Sequence, residues 1–384
     1  MSQSLQNETR SNFPNYPTTD ISAGQTVCFG MMQHGYDKET DLEASFMIAV
    51  AKTLLKYLVR ICAIMVAALL VALVYFNWAA ANREVTGFGK NLPADGYLLP
   101  TGEGKFFLID INTEAENQLL FVHGTGAWSA LWRPTLETAA TQGYRATAFD
   151  LPPFGWSEHA SDRIYSRARQ AERIIALLEE LGTRPIVVTH SFGAGPMAEA
   201  VLLRPDLVSG MIVVNGAIGL GSHKDPNLLP FPLRSEILRQ YITAATASNP
   251  LLTKSFLRSF IHVKEASSPE IVTVLQMPMV RVGYTKAVTD WMPNLFRSPA
   301  QALSTREENW RNLEISIVFI WGREDTVTPL SQGEELDRLV NGADLLVLDG
   351  VGHVPQIEAP EAFQTNLLKA LNLIQAANNN EGER

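Results

Sequence analysis

The chain has 384 residues, 46% of them hydrophobic and 18% charged, with a formal net charge of −9. That length can bury one large core with accessory segments, and the mild acidity gives no electrostatic basis for a nucleic-acid partner. The two cysteines, Cys28 and Cys62, both precede residue 82, so the rest of the chain offers no disulfide framework, thiolate metal site or cysteine nucleophile.

Residues 1–45 are polar, show no apolar periodicity and read as a disordered tail. Residues 46–81 read as an amphipathic lead-in followed by a transmembrane anchor. Within them, 61–81 carry no charge, and a helix of that length matches a hydrocarbon core of ~30 Å. Tyr75, Phe76 and Trp78 near one end, with Tyr57 outside the other, suit the headgroup region. Lys52, Lys56 and Arg60 precede the segment, and only Arg83 and Lys90 follow closely. This bias predicts a single pass, with the N-terminus cytoplasmic and the following domain on the outer, periplasmic or extracytoplasmic, side. Two other readings compete. Ala79-Ala80-Ala81 resembles a cleavage site, which would make the segment a signal peptide and the product secreted; alternatively it is a buried core helix.

From residue 105, short apolar runs alternate with longer helical stretches. Strands are predicted at Lys105–Ile111, Gln118–Val122, Tyr144–Phe149, Pro185–Thr189, Ser209–Asn215, Ser316–Trp321 and Asp344–Leu348, and helices at Trp128–Thr141, Ser166–Leu181 and Pro196–Arg204. Several runs are apolar nearly throughout, as in strands covered on both faces. Such alternation builds an α/β fold, a mostly parallel sheet with helices on both faces. It breaks between 220 and 305, where Leu233–Ala247, Leu251–Val263 and Pro269–Leu275 are helical candidates. It then resumes, which marks 220–305 as an insertion in a core formed by 82–219 and 306–376. Residues 377–384 read as a frayed tail.

In Val187-Val188-Thr189-His190-Ser191-Phe192-Gly193 a strand ends at a serine and a small-residue helix begins, the setting of a nucleophile elbow. A serine hydroxyl needs a base. Of seven histidines, His353 lies in a glycine-flanked loop after the last strand and is the best base. His190 adjoins Ser191, and alternate side chains on a strand point to opposite faces. The base needs an anionic partner; Asp325, after the penultimate strand, is chosen, with Glu324 its rival and neutral Asn215 a poor substitute. Backbone N–H groups of Phe192 and Thr125 are the candidate oxyanion donors, and His123 is read as structural.

Together, His123-Gly124-Thr125-Gly126, Asp150-Leu151-Pro152-Pro153-Phe154-Gly155-Trp156-Ser157, Thr189-His190-Ser191-Phe192-Gly193, Trp321-Gly322-Arg323-Glu324-Asp325 and Gly352-His353 resemble the α/β-hydrolase superfamily, in its capped subgroup. Thr189 and Pro153 depart from the pattern, each standing where glycine is usual. The resemblance implies that 220–305 forms a helical cap whose apolar residues, among them Phe256, Phe260, Met277, Met279, Trp291, Met292 and Phe296, line a lipophilic acyl pocket. A serine in place of the aspartate nucleophile of the epoxide hydrolase and dehalogenase branches implies acyl chemistry.

The expectation is therefore a membrane-anchored serine hydrolase cleaving an apolar ester. Its alternatives are carbon–carbon bond hydrolysis or perhydrolysis with the same triad, or a non-catalytic binding protein. No metal or nucleotide cofactor motif is present, and the expected partners are a small apolar molecule and, through 61–81, a membrane.

Overall fold

The computed structural model describes residues 24–221, 229–296, 299 and 302–382. The chain forms two compact units that meet inside its first helix, one ending at Leu70 and the other beginning at Val71.

That helix, α1 (Gly24–Arg83), is uninterrupted by proline. Residues 24–45, expected as an unstructured tail, form its first turns. Adding residues to an established helix gains one hydrogen bond each without the cost of a new nucleus, and Glu39, Leu42, Glu43 and Ala44 are good helix formers. Residues 1–23 of the expected tail lie outside the described residues. Among these, α1 is the one helix long and apolar enough to cross a membrane: an 18-residue window within Leu42–Arg83 has a mean hydropathy of 2.6, and none of that window is buried. Its exposure overturns the core-helix reading.

The second unit is built on an eight-stranded mixed sheet. In chain order its elements are β1 (Gly96–Thr101), β2 (Gly104–Ile111), β3 (Gln118–Val122), α2 (Arg133–Thr141), β4 (Arg145–Phe149), α3 (Arg167–Leu181), β5 (Ile186–His190), α4 (Ala194–Leu203) and β6 (Gly210–Val214). The insertion follows, with α5 (Phe231–Arg234), α6 (Glu236–Ala245), α7 (Thr253–Phe260), α8 (Pro269–Gln276) and α9 (Tyr284–Trp291). The chain returns through α10 (Glu307–Arg311), β7 (Ile317–Gly322), α11 (Leu330–Leu339), β8 (Asp344–Leu348), α12 (Pro355–Glu358) and α13 (Pro360–Gly382). The strand order is β1-β2-β4-β3-β5-β6-β7-β8, antiparallel where β2 meets β1 and β4, and parallel from β4 to β8.

The period of two along each strand divides the core between the two faces. Leu119, Phe121, Val188, Ile212, Val318 and Ile320 pack on one face with Leu136 of α2 and Phe363, Leu367 and Leu371 of α13. Leu120, Val122, Val187, Val213, Phe319 and Trp321 pack on the other with Ile174 and Leu177 of α3, Met197 of α4 and Leu336 of α11. At α3, Ser166 caps the first turn by accepting from the Arg169 N–H, and Gly182 ends the helix at φ 62°. Strand β1 escaped the sequence reading, because a short half-exposed edge strand has no apolar run. Helix α13 continues to Gly382, so 377–382 are helical rather than frayed, tied by the Asn378 amide to the Ser209 carbonyl (2.8 Å).

Candidate active site

Parallel strands β5, β6 and β7 end on the same edge of the sheet, and the loops that follow them meet there. At the end of β5, Ser191 has φ 51°, a left-handed conformation that turns the strand sharply into α4. Gly193 is required at this turn: a Cβ there would lie 2.5 Å from the His123 carbonyl oxygen. Thr189, standing where glycine is usual, is fully buried, and its hydroxyl donates to the Ile212 carbonyl on β6 (3.2 Å).

The Ser191 hydroxyl lies 2.7 Å from His353 Nε2, and His353 Nδ1 lies 2.7 Å from Asp325 Oδ2. A carboxylate can only accept, so Nδ1 carries the proton and Nε2 presents a lone pair to the serine hydroxyl. All three side chains are buried. Asp325 Oδ1 also accepts from the N–H groups of Val327 (2.7 Å) and Thr328 (3.0 Å), and the Thr328 hydroxyl is 2.7 Å from Oδ2. Burial pushes the Asp325 carboxyl upward, but hydrogen bonding and electrostatic attraction from His353, with the Thr328 hydrogen bonds, outweigh it and hold it below its ordinary value. Glu324, the rival acid, accepts instead from the Gly350 N–H (3.3 Å) and does not reach His353.

Two residues positioned here were missed in the sequence. Asn215, at φ 46° after β6, donates to Asp325 Oδ2 and to the Gly352 carbonyl (3.0 Å), and accepts from the Gly322 N–H (3.1 Å). Its strand-end position is visible in the sequence, but its role as a donor joining two loops is not. Glu358, on α12, accepts from the N–H groups of Gly352 and Val354 on either side of His353. Nothing local in the sequence marks it beyond its nearness to His353.

His190 is not turned away from the site. Its Nε2–H donates to the His353 carbonyl (2.7 Å), and burial, with His353 alongside, lowers its pKa to about 3, so it is neutral. His123 donates from Nδ1 to the Gly124 carbonyl (2.8 Å) and accepts from the Leu151 N–H at Nε2 (2.9 Å), a structural pairing that burial keeps neutral.

A cavity of about 400 Å³ opens above Ser191. Thr125 and Phe192 both border it, and the Phe192 N–H belongs to the first turn after β5, where such groups lack an intrahelical acceptor. Of the cap residues expected there, Phe256, Phe260, Met279 and Phe296 line the cavity. Trp291 instead packs its ring against Phe154 and Phe192 (centroids 4.8 and 5.2 Å), Met292 borders an adjoining groove, and Met277 lines neither. Among the described residues, the lining contains no Asp, Glu, Lys or Arg. Among the described residues no cluster of His, Cys, Asp and Glu could hold a metal ion.

The sequence model of the alpha/beta hydrolase family matches residues 119–364. The chain belongs to that family. This hydrolase is 27% identical over 250 residues to 2-hydroxymuconate semialdehyde hydrolase of Pseudomonas putida, covering 64% of this chain and 83% of the relative. Among solved structures, a probable hydrolytic enzyme from Pseudomonas aeruginosa PAO1 superposes at TM-score 0.61 and 22% identity, covering 76% of this chain and 99% of the other. A membrane phospholipase A superposes at TM-score 0.58 and 19% identity, covering 84% and 99%. These likenesses establish the hydrolase fold.

Proposed function

We propose that this hydrolase cleaves an ester of a neutral, apolar acyl group through an acyl-enzyme on Ser191. The observation that carries the reading is a cavity whose described lining is largely apolar and free of charged side chains, above a serine hydroxyl already hydrogen-bonded to an imidazole. His353 takes the Ser191 proton as the hydroxyl oxygen attacks the carbonyl carbon. The Thr125 and Phe192 amides face the oxyanion that forms, and Asp325 stabilises the imidazolium. His353 then gives its proton to the leaving alcohol, and a water deprotonated at Nε2 releases the acid.

Carbon–carbon hydrolysis is the second reading, favoured by the 27% identical relative. The substrate in that relative's name is a carboxylate, and a buried anion without a cation or several donors is costly. The described lining residues include no cation, which weighs toward the ester. The test is fluorophosphonate labelling of the full chain, followed by turnover of neutral umbelliferyl esters and of a 2-hydroxy-6-oxo-dienoate. Labelling at Ser191 with turnover of the esters alone is expected. Turnover of the dienoate alone would establish the second reading, and absence of labelling in folded protein would leave a binding protein.

The membrane reading belongs to the same proposal: α1 is retained as an anchor, N-terminus inside and catalytic unit outside. Ala80 is 2% exposed and Asn77 accepts from the Gln240 amide (3.3 Å), so the end of α1 is packed into the catalytic unit, contrary to what a discarded signal needs. Reporter fusions at both termini test the orientation.

A further inference from the structure

The foot of α1 is hydrogen-bonded to segments that wall the active-site cavity. Arg83, its last residue, donates from Nε to the Met279 carbonyl (3.0 Å) and from Nη2 to the Ser248 carbonyl (2.9 Å). Glu84 accepts from the Thr285 N–H (3.0 Å) and from the Thr285 hydroxyl, which lies 2.7 Å from the Ser248 hydroxyl. Met279 itself borders the cavity, as do Tyr284 next to Thr285, and Ala247 and Asn249 on either side of Ser248. Two side chains at the helix end thus hold three cap segments that shape the pocket.

A second groove, of about 460 Å³, adjoins the cavity, and Leu252, Phe256, Leu295 and Phe296 wall both. All four are exposed, so an apolar path runs from the protein surface to Ser191. Exposed apolar side chains also gather at the helix foot. Trp78 and Val85 flank the Arg83–Glu84 pair in sequence. Val282 donates its N–H to the Thr86 carbonyl (2.9 Å), and Leu251, beyond the Ser248 turn, is 78% exposed. Apolar surface gathered in this way marks a contact with an apolar phase.

We infer that this collar rests in the surface of a lipid bilayer and that the substrate, a long-chain acyl ester of an amphiphile, enters the cavity from the lipid. The inference rests on the ester and membrane readings above. The occupant follows from continuity: Arg83 lies about 7.5 Å along the helix from Trp78, at the rise of ~1.5 Å per residue. Tyr75 and Trp78 are the aromatics suited to headgroup depth. A collar tied to Arg83 is therefore held where the bilayer ends. The described residues that wall the path beyond it are largely apolar and include no charged side chain, which suits an acyl chain leaving lipid without crossing water.

The full chain in dioleoylphosphatidylcholine vesicles tests this, with 4-methylumbelliferyl oleate dissolved in the bilayer and 4-methylumbelliferyl butyrate in the water. The oleate rate should follow its mole fraction in the bilayer rather than its bulk concentration. Leu251→Asp should lower the oleate-to-butyrate rate ratio at least tenfold, and Leu251→Phe should keep it. An unchanged ratio overturns the inference. An unchanged ratio with a dimer that becomes monomeric assigns the collar to a second copy of the chain. Turnover of neither ester by the wild type overturns the ester reading and the inference with it. Butyrate turnover by a protein that alkaline carbonate strips from vesicles overturns the membrane reading instead.

Discussion

The Glu358 carboxylate brackets His353, accepting from the Gly352 N–H (3.0 Å) before it and the Val354 N–H (2.8 Å) after it. The same carboxylate accepts from the N–H groups of His262 (2.7 Å) and Val263 (2.9 Å) in the cap. One buried acid therefore fixes the histidine loop and joins it to the segment that roofs the site.

Glu358→Gln replaces one acceptor oxygen with an amide that meets N–H donors. Hydrogen bonds to charged groups contribute about 1.5–3 kcal/mol, so a loss of that order is expected in denaturant unfolding. Because the strain falls on the His353 backbone, kcat should drop about tenfold or more with a smaller change in KM. Unchanged kinetics in a destabilised variant would limit Glu358 to a structural role.

Ser191→Ala should abolish fluorophosphonate labelling and lower kcat on butyrate esters by at least about 10³-fold, with the fold retained. Asp325→Asn should cost about 10⁴-fold, since an amide no longer holds Nδ1 protonated and Nε2 free. A Ser191→Ala enzyme with wild-type turnover would remove the proposed nucleophile.

Asn215 joins the acid loop to the histidine loop through Asp325 and the Gly352 carbonyl. Asn215→Asp sets a second carboxylate beside Asp325, and two such groups raise the proton affinity of the pair. The acid limb of the kcat profile should then move to higher pH, because His353 loses its anionic partner sooner as pH falls. Asn215→Ala should lower kcat about 10–100-fold without that shift. Coincident pH profiles for the two variants would refute the electrostatic part of this account.

Arg281 is buried, donates to the carbonyls of Gly155 and Ser157, and its charge acts on Asp150. Burial raises the Asp150 pKa to about 6, against lowering by the N–H groups of Ser129 and Trp156 and by the Arg281 charge. A carboxyl raised in the folded state binds a proton that the unfolded chain has lost. Its contribution is therefore most favourable below the ordinary carboxyl range and declines as pH rises through about 6, by about 3 kcal/mol. Arg281→Leu removes the countercharge and extends the decline to higher pH. It should destabilise the protein by about 3–5 kcal/mol at pH 8 and by less at pH 5, read from denaturant midpoints. An equal loss at both pH values would show that only the two carbonyl contacts matter.

The sequence by itself determined the alternation of strands and helices, the insertion after β6, and the loops carrying Ser191, Asp325 and His353. These are local signals: apolar runs of strand length, turn residues at their ends, and a strand that stops at a serine. It also marked the apolar stretch of α1 at 61–81, by its length without charge, but not the turns from Gly24 to Ser45. Tertiary structure alone decided the partners of the polar side chains. Asn215, Glu358, His190, Arg83 and Glu84 look like ordinary loop or helix-end residues in the sequence, and each acts on groups remote along the chain or on backbone atoms that carry no residue signature. Hydrophobic burial depends on a side chain's own nature and repeats with the period of its element. A buried hydrogen bond depends on which backbone arrives beside it, and that is fixed only when the sheet edge, the cap and the foot of α1 are assembled.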